Sequence, residues 1–225
     1  MIPLKQLNDI DPLERRAEKQ SEQKEYSPMD PPGAYAPPGM EAVAYEAMHP
    51  VLQHLMDEHK MVVNELESFE GVLLDMQKEG VSREVNQRLS AFFRFLDEQI
   101  VRHHGKEEKI LFPLLQERLL EKGEHSQGPV PKTAVDMLED DHIKVMQLAA
   151  ITFNFFGLAP HLPDPASRTL VLDAALEQGK TLVEFLRLHI FREDNIVFPL
   201  AHTHLTPDEL DDMEQRLLTL SGASI

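Results

Sequence analysis

The sequence of 225 residues contains no cysteine, which excludes disulfides, thiol catalysis and cysteine-ligated zinc or iron–sulfur centres. Basic residues are few, since 22 Lys and Arg against 39 Asp and Glu give a formal net charge of −17. A surface this acidic repels the phosphates of nucleic acids and of anionic membranes. The most apolar stretch, residues 148–160, is too short to span a bilayer, and residues 1–16 lack the apolar run of a signal peptide. The sequence therefore predicts a soluble, cytoplasmic protein that binds neither nucleic acid nor membrane.

Proline is concentrated in the first 50 residues, which hold eight of the 16 prolines. Residues 30–39 read Asp-Pro-Pro-Gly-Ala-Tyr-Ala-Pro-Pro-Gly, and such a segment forms neither helix nor sheet ladder. We therefore expect residues 1–45 to form a tail, extended or loosely attached, with room for a short polar helix over roughly 11–24. Such a tail can wrap the domain or pair with another subunit, so a homo-oligomer held through the tail is one expectation.

From residue 46 onward the proline-rich composition gives way to a helical pattern, in which apolar residues recur every three or four positions. Gly80 and Gly123 mark predicted turns, as does the proline-rich loop 157–165, and Ser82 is a predicted N-cap. Thr206-Pro207 predicts the start of a short last helix. No segment alternates with the period of a strand.

These helices predict an all-α protein. We expect an antiparallel up-down-up-down four-helix bundle over residues 46–222, with a Pro-rich N-terminal tail and a short C-terminal helix. The bundle consists of two similar helical hairpins, at about 50–122 and 132–203.

An internal repeat relates the two hairpins. Residues 103–114 read His-His-Gly-Lys-Glu-Glu-Lys-Ile-Leu-Phe-Pro-Leu, and residues 189–200 read His-Ile-Phe-Arg-Glu-Asp-Asn-Ile-Val-Phe-Pro-Leu. Upstream, Leu-Met-Asp-Glu-His59 resembles Leu-Glu-Asp-Asp-His142. Each hairpin thus carries one histidine on its first helix and His-x-x-x-Glu on its second.

The spacing of the repeat predicts that its four histidines lie at one level of the bundle. The midpoints between successive histidines fall beside Gly80, beside Gly123 and at the end of the proline-rich loop, and helix arms of equal length return the chain to the same height. Glu107 and Glu193 follow their histidines by four residues and share their faces. Imidazoles and carboxylates buried without partners would be strongly destabilising, whereas bound cations provide partners for both.

We therefore predict a dinuclear metal site with the ligands His59, His103, Glu107, His142, His189 and Glu193. Two bridging carboxylates with two imidazoles per metal leave a coordination position open for a small molecule. The favoured cofactor is two iron ions in an Fe–O–Fe type centre, because such ligands in a bundle core are typical of non-haem diiron sites; zinc or manganese is the alternative. Further ligands or outer partners are His54, His104, Glu108 and Asp194. His104 with Glu108 offers an alternative register, against which the repeat argues.

Over residues 50–202 the sequence resembles the hemerythrin-like, HHE cation-binding family. The resemblance rests on His59, His103-x-x-x-Glu107, His142 and His189-x-x-x-Glu193, with Phe-Pro after both carboxylates. It implies an up-down four-helix bundle around a non-haem diiron centre. It also implies roles in reversible O2 binding, sensing of O2 or nitric oxide, iron handling, or repair of iron–sulfur centres.

The sequence departs from the O2-carrying members at two points. Met146 stands where they have a second histidine four residues after the third-helix ligand. Their last helix uses His-x-x-x-x-Asp, a spacing that Asp194 offers, although Glu193 fits the internal repeat better. A rival ferritin-like arrangement would use Glu46-x-x-His49 and Glu139-x-x-His142, but it leaves two histidines of the repeat unused.

The sequence leads to three hypotheses about function, each from a different functional class. The leading hypothesis is a metal-binding protein, rather than a turnover enzyme, that binds or senses a small diatomic ligand or peroxide (O2, NO or peroxide), or handles iron. The second is a diiron oxidase or peroxidase, or an iron–sulfur repair protein, although the chain lacks the cysteine-containing module of many repair proteins. The third is a metal-free helical interaction module.

Overall fold

The structure, a computed structural model, describes residues 43–222, with side chains up to residue 219. The predicted polar helix at 11–24 and almost all of the predicted tail lie outside the described residues. Within the described range the chain is helical and contains no strand. The main helices are α1 (Pro50–Glu79), α2 (residues 83–122), α3 (Ala134–Leu158), α4 (residues 165–204) and α5 (Pro207–Gly222). The predicted all-α bundle is confirmed at this level.

Local chemistry sets the helix ends where the sequence predicted them. Gly80 ends α1 with a φ of 83°, and Gly123 ends α2 in the left-handed region with a φ of 78°. Both conformations favour glycine, which has no Cβ. The hydroxyl of Ser82 accepts a hydrogen bond from the backbone N–H of Val85 at 3.1 Å, which caps α2.

The predicted loop at 157–165 is wrong in its extent. Helix α3 continues to Leu158, and a 3₁₀ turn extends it over Ala159–His161. Gly157 is solvent-exposed and helical, and Pro160 occupies the first turn of the 3₁₀ segment, where its missing N–H leaves no hydrogen bond unmade. Only residues 162–164 separate this turn from α4, so α3 and α4 are joined tightly.

The apolar part of α3 is longer than residues 148–160, the stretch predicted from the sequence to be too short to span a bilayer. With its 3₁₀ turn it covers Ala134–His161, and by length and hydropathy alone it qualifies as a candidate membrane span. A core helix of a bundle passes the same test. Here α3 packs along α4 and carries Asp141 and His142 on its buried face, while only 28% of its most apolar window is buried.

The bundle encloses two apolar clusters. Helix α1 contacts α2, α4 and α5, and α3 packs mainly on α4. Along each of α1 to α4, one cluster precedes the level of the predicted ligands and the other follows it. The first cluster includes Leu66, Phe69, Phe92, Val145, Leu182 and Leu186, and the second includes Leu52, Leu55, Leu115, Leu138, Phe198 and Leu210. The level between them is therefore shielded from water on both sides by apolar side chains.

Two of the three described π turns start at the predicted bridging carboxylates. They span Glu107–Leu111 in α2 and Glu193–Val197 in α4, and each is followed by Phe-Pro. Pro113 and Pro199 cannot donate a backbone hydrogen bond, and their rings clash with the carbonyl four residues earlier. A wider turn relieves that clash, so each proline is accommodated by the π turn that precedes it.

Candidate metal centre

All six predicted ligands lie in one buried layer between the two apolar clusters. Their exposed fractions do not exceed 4% for His59, His103, Glu107, His142, His189 and Glu193. Helices α1 and α3 each contribute one histidine, and α2 and α4 each contribute His-x-x-x-Glu. The equal helix arms expected from the sequence thus bring these side chains to the same height.

The donor atoms fall into two groups, each compact enough to hold one metal ion. His59 and His103 form the first half-site, together with oxygens of Glu107 and Glu193; the donor atoms lie within 4.8 Å of one another. His104, His142 and His189 form the second half-site within the same limit.

Glu107 lies between the half-sites. Its Oε1 is 3.5 Å from Nε2 of His103, and its Oε2 is 3.5 Å from Nε2 of His142. Each oxygen therefore faces a different half-site, as in a carboxylate that bridges two cations.

Glu193 repeats this arrangement. Its Oε2 is 3.1 Å from Nε2 of His59, and its Oε1 is 3.1 Å from Nε2 of His189 and 3.8 Å from that of His142. Two carboxylates thus face each other across the layer, each with one oxygen toward each half-site.

Outer carboxylates orient the rings from behind, and two of them were anticipated. Nδ1 of His59 donates to Asp194 at 2.8 Å, and Nδ1 of His142 donates to Glu108 at 2.8 Å. Because a carboxylate only accepts, these bonds put the proton on Nδ1 and leave Nε2 facing the centre. Asp194 and Glu108 therefore act across hairpins, each holding a histidine of the other repeat.

Two further outer carboxylates were missed from the sequence. Nδ1 of His103 donates to Glu58 at 2.8 Å, and Asp141 lies 3.7 Å from Nδ1 of His189. Lys106 pairs with Glu58, and Arg192 donates to Asp141 at 2.6 and 2.9 Å. The signal was an acidic residue directly before each first-helix histidine, at positions 58 and 141.

Electrostatics favour a positive charge in this layer. Burial by itself lowers the pKa of His59 and His142, but the surrounding carboxylates outweigh it and raise each pKa to about 10. The pKa of His189 is raised to about 9 for the same reason. The buried Glu193 carboxyl has a pKa well below its ordinary value: burial opposes this, and the adjacent imidazoles overcome that opposition.

The arrangement of lone pairs shows how the residues fit cations. Nε2 of His59 and Nε2 of His103 are only 2.9 Å apart, while both Nδ1 atoms donate to carboxylates. Two facing lone pairs at this distance need a proton or a cation between them. In the described residues, both oxygens of Glu107 and of Glu193 and Nε2 of His142 and His189 also lack hydrogen-bond partners, although they are buried. A pair of cations provides a partner for every one of these atoms.

A comparison with protein families agrees with this geometry. The family model described as hemerythrin HHE cation binding domain matches residues 51–201. The chain belongs to the hemerythrin HHE family. No curated protein and no solved structure matches it significantly. The matched range of this hemerythrin-like chain runs from α1 into α4 and contains all six predicted ligands.

His104 sets the two halves of this hemerythrin-like centre apart. Its ring is buried and stacks on His142 with centroids 3.8 Å apart. No hydrogen bond or ion pair joins it to the described residues. Burial and the neighbouring imidazoles lower its pKa to about 2, so the ring is neutral and a lone pair is available. The repeat equivalent is Ile190, which explains why the repeat argued against His104.

The remaining candidates lie outside this layer. The side chain of His54 is 56% exposed and lies 3.3 Å from Glu58, so it joins neither half-site. His49 caps α1 and lies 3.2 Å from Asp211 at the surface, and Glu139 is exposed. The helices therefore do not assemble the ferritin-like set.

Proposed function

We propose that this hemerythrin-like protein binds two iron ions and uses them to bind or sense a small ligand (O2, nitric oxide or peroxide), or to hold iron itself. The observation that carries the proposal is the pair of bridging carboxylates. Glu107 and Glu193 each direct one oxygen to each half-site, and all four oxygens lack hydrogen-bond partners among the described residues.

The unequal half-sites support small-ligand binding at the first of them. The second half-site holds the three imidazoles of His104, His142 and His189, whereas the first holds the two imidazoles of His59 and His103. One oxygen of each bridging carboxylate lies toward either half-site. More coordination positions therefore stay open in the first half-site. Iron would supply redox chemistry and affinity for diatomic ligands and peroxide, while the protein supplies the position and a dry environment.

The apolar residues around the layer support the same function. One helical turn away on one side lie the buried side chains Val62, Ile100, Val145 and Leu186, and on the other lie Leu55, Ile110, Leu138 and Val197. These side chains exclude bulk water and admit small uncharged molecules more readily than ions.

The short connections support the finer topology. Residues 80–82 join α1 to α2, and residues 162–164 lie between the end of α3 and α4. Connections of this length favour antiparallel neighbours, so we include the up-down-up-down order in the proposal. The acidic composition supports a cytoplasmic protein without nucleic-acid or membrane partners.

Metal analysis of freshly purified protein, combined with its absorption spectrum, tests the proposal. We expect about two iron ions per chain and a ligand-to-metal charge-transfer band that changes when azide, nitric oxide or peroxide is added. Reconstitution with zinc or manganese serves as the comparison. Protein that is purified and reconstituted without binding iron, and whose melting temperature does not respond to a chelator, would instead be a metal-free interaction module.

A further inference from the structure

A groove between α2 and α3 reaches the second half-site. It has a volume of about 670 Å³ and is lined by His104, Gly105, Glu108, His142, Ile143 and Met146, among others. Two of the proposed ligands, His104 and His142, thus form part of its wall. We call this the α2–α3 groove.

A groove at the corresponding place in the other repeat is smaller. It has a volume of about 290 Å³ and is lined by Tyr45, His59, Lys60, Val63, Ile190 and Asp194, among others. His59, Val63, Ile190 and Asp194 are the repeat equivalents of His142, Met146, His104 and Glu108. We call this the α1–α4 groove.

The two grooves differ at their walls and mouths. In the α1–α4 groove the equivalent of His104 is Ile190, so His59 is the one imidazole there. The hydroxyl of Tyr45 donates to Asp57 at 3.0 Å, and the ammonium of Lys60 lies 4.7 Å from the centre of the Tyr45 ring. Lys60 also pairs with Asp57 at 2.6 Å, so a tyrosine and an ion pair stand at this mouth.

The α2–α3 groove is larger and has a glycine and a second imidazole in its wall. Gly105 leaves it without a side chain, and a Cβ built there meets no atom within 4 Å. Glu108 stands at the mouth with its side chain 46% exposed, and His104 inside has no hydrogen bond or ion pair in the described part of the chain. Lys109 also lines the groove, so the local charge is not wholly negative. Glu108 and the imidazole of His104, which makes no hydrogen bond or ion pair in the described range, therefore lie along one groove that leads to the second half-site.

We propose that the α2–α3 groove is the route by which metal ions enter and leave the centre, with His104 as the first imidazole they meet. This inference rests on the proposed metal centre. It assigns a role to the position of Gly105, where a larger side chain would close the groove.

Gly105→Leu tests the route without touching a proposed ligand. Leucine favours the helix over glycine and has space at this position, so the variant should fold at least as well as the natural protein. Gly157→Leu is the control, because Gly157 is also helical and its Cβ likewise meets no atom within 4 Å; Gly157 is exposed, whereas Gly105 is half-buried. Met146→Trp narrows the same groove from α3 and serves as a second plug.

The measurement is the rate at which metal-free protein takes up Co²⁺, followed by visible absorption, and the rate at which loaded protein loses Co²⁺ to a chelator. We expect both rates to fall tenfold or more in Gly105→Leu and Met146→Trp, with the final metal content unchanged, and to stay unchanged in Gly157→Leu. Equal rates in all variants would overturn the route. Slowing by Asn64→Leu alone, in the α1–α4 groove, would place the route there instead. Natural protein that takes up no Co²⁺ or Fe²⁺ at all would contradict the metal centre itself.

Discussion

The two half-sites come from the same sequence repeat, yet they are alike in only one respect. Toward the centre they match: two imidazoles, one oxygen from each bridging carboxylate, and an outer carboxylate beside every Nδ1. Toward the grooves they differ, with His104 and Gly105 lining one and Ile190 lining the other. The repeat therefore builds a symmetric frame for two cations, and the departures from it make the two cations unequal in ligands and in access.

Loss of a bridging carboxylate should have the largest effect, because it acts on both halves at once. In Glu193→Ala each half-site loses one oxygen, and the facing imidazoles lose their buried negative partner. We expect the metal content of the purified protein to fall from about two ions per chain to less than one, as measured by elemental analysis. His103→Ala should also lower it.

The neighbouring Asp194→Ala is the matched control for Glu193→Ala. Asp194 contacts His59 only from behind, so its loss should weaken metal binding about 10- to 100-fold without abolishing it. His125→Ala and His202→Ala, away from the layer, should leave the metal content unchanged. Equal metal content in all of these variants would refute the assignment of the bridge.

Exchanging residues between the repeats should have the next largest effect. His104→Ile gives the second half-site the composition of the first, and we expect one of the two ions to bind at least about tenfold more weakly. Ile190→His makes the reverse exchange by adding an imidazole beside His59. We expect it to strengthen metal binding at the first half-site or to restrict the binding of azide there. Titration of metal-free protein with Co²⁺ resolves the two affinities.

Unchanged affinities in His104→Ile would mean that the imidazole packs against His142 without binding metal. The centre would then have two histidines on each side, and the comparison between half-sites would reduce to their grooves.

Much of the fold could be predicted from the sequence because the interactions that determine the helix ends are local. Gly80 and Gly123 end helices through their backbone freedom, and Ser82 caps one through its own hydroxyl. The level of the site also followed, since it depends only on counting residues between turns. The extent of α3 was misjudged because glycine and proline usually interrupt a helix. Gly157 and Pro160 are tolerated here because they lie at the exposed end of α3.

The site was less readable where it depends on packing between helices. The repeat identified the residues that face the centre, but it argued against His104 as a ligand because Ile190 stands at the equivalent position. Glu58 and Asp141 pair with histidines on a different helix, and no spacing along the chain shows which ring each one reaches. The π turns at Glu107 and Glu193 precede prolines six residues later, and they were not predicted from the sequence.

The smallest expected effect is a pH dependence of the stability of the metal-free protein, to which His104 and the other three histidines contribute differently. In metal-free protein the pKa values of His59 and His142 are raised to about 10 and that of His189 to about 9, against 6.5 for an ordinary histidine. Between pH 6.5 and these values the three rings hold more protons in the folded state than in the unfolded state. The stability that they contribute is therefore complete below pH 6.5 and is lost as the pH rises. We expect the melting temperature of chelator-treated protein to drop by several degrees between pH 7 and pH 9.

His59→Gln should flatten this slope because it removes one of the three protonated rings. His104→Ile should leave the slope as it is, since the pKa of His104 is lowered to about 2 and the ring stays neutral throughout. A slope that changes equally in both variants would show that His104 shares the charge of the layer, and the two half-sites would then be electrostatically alike.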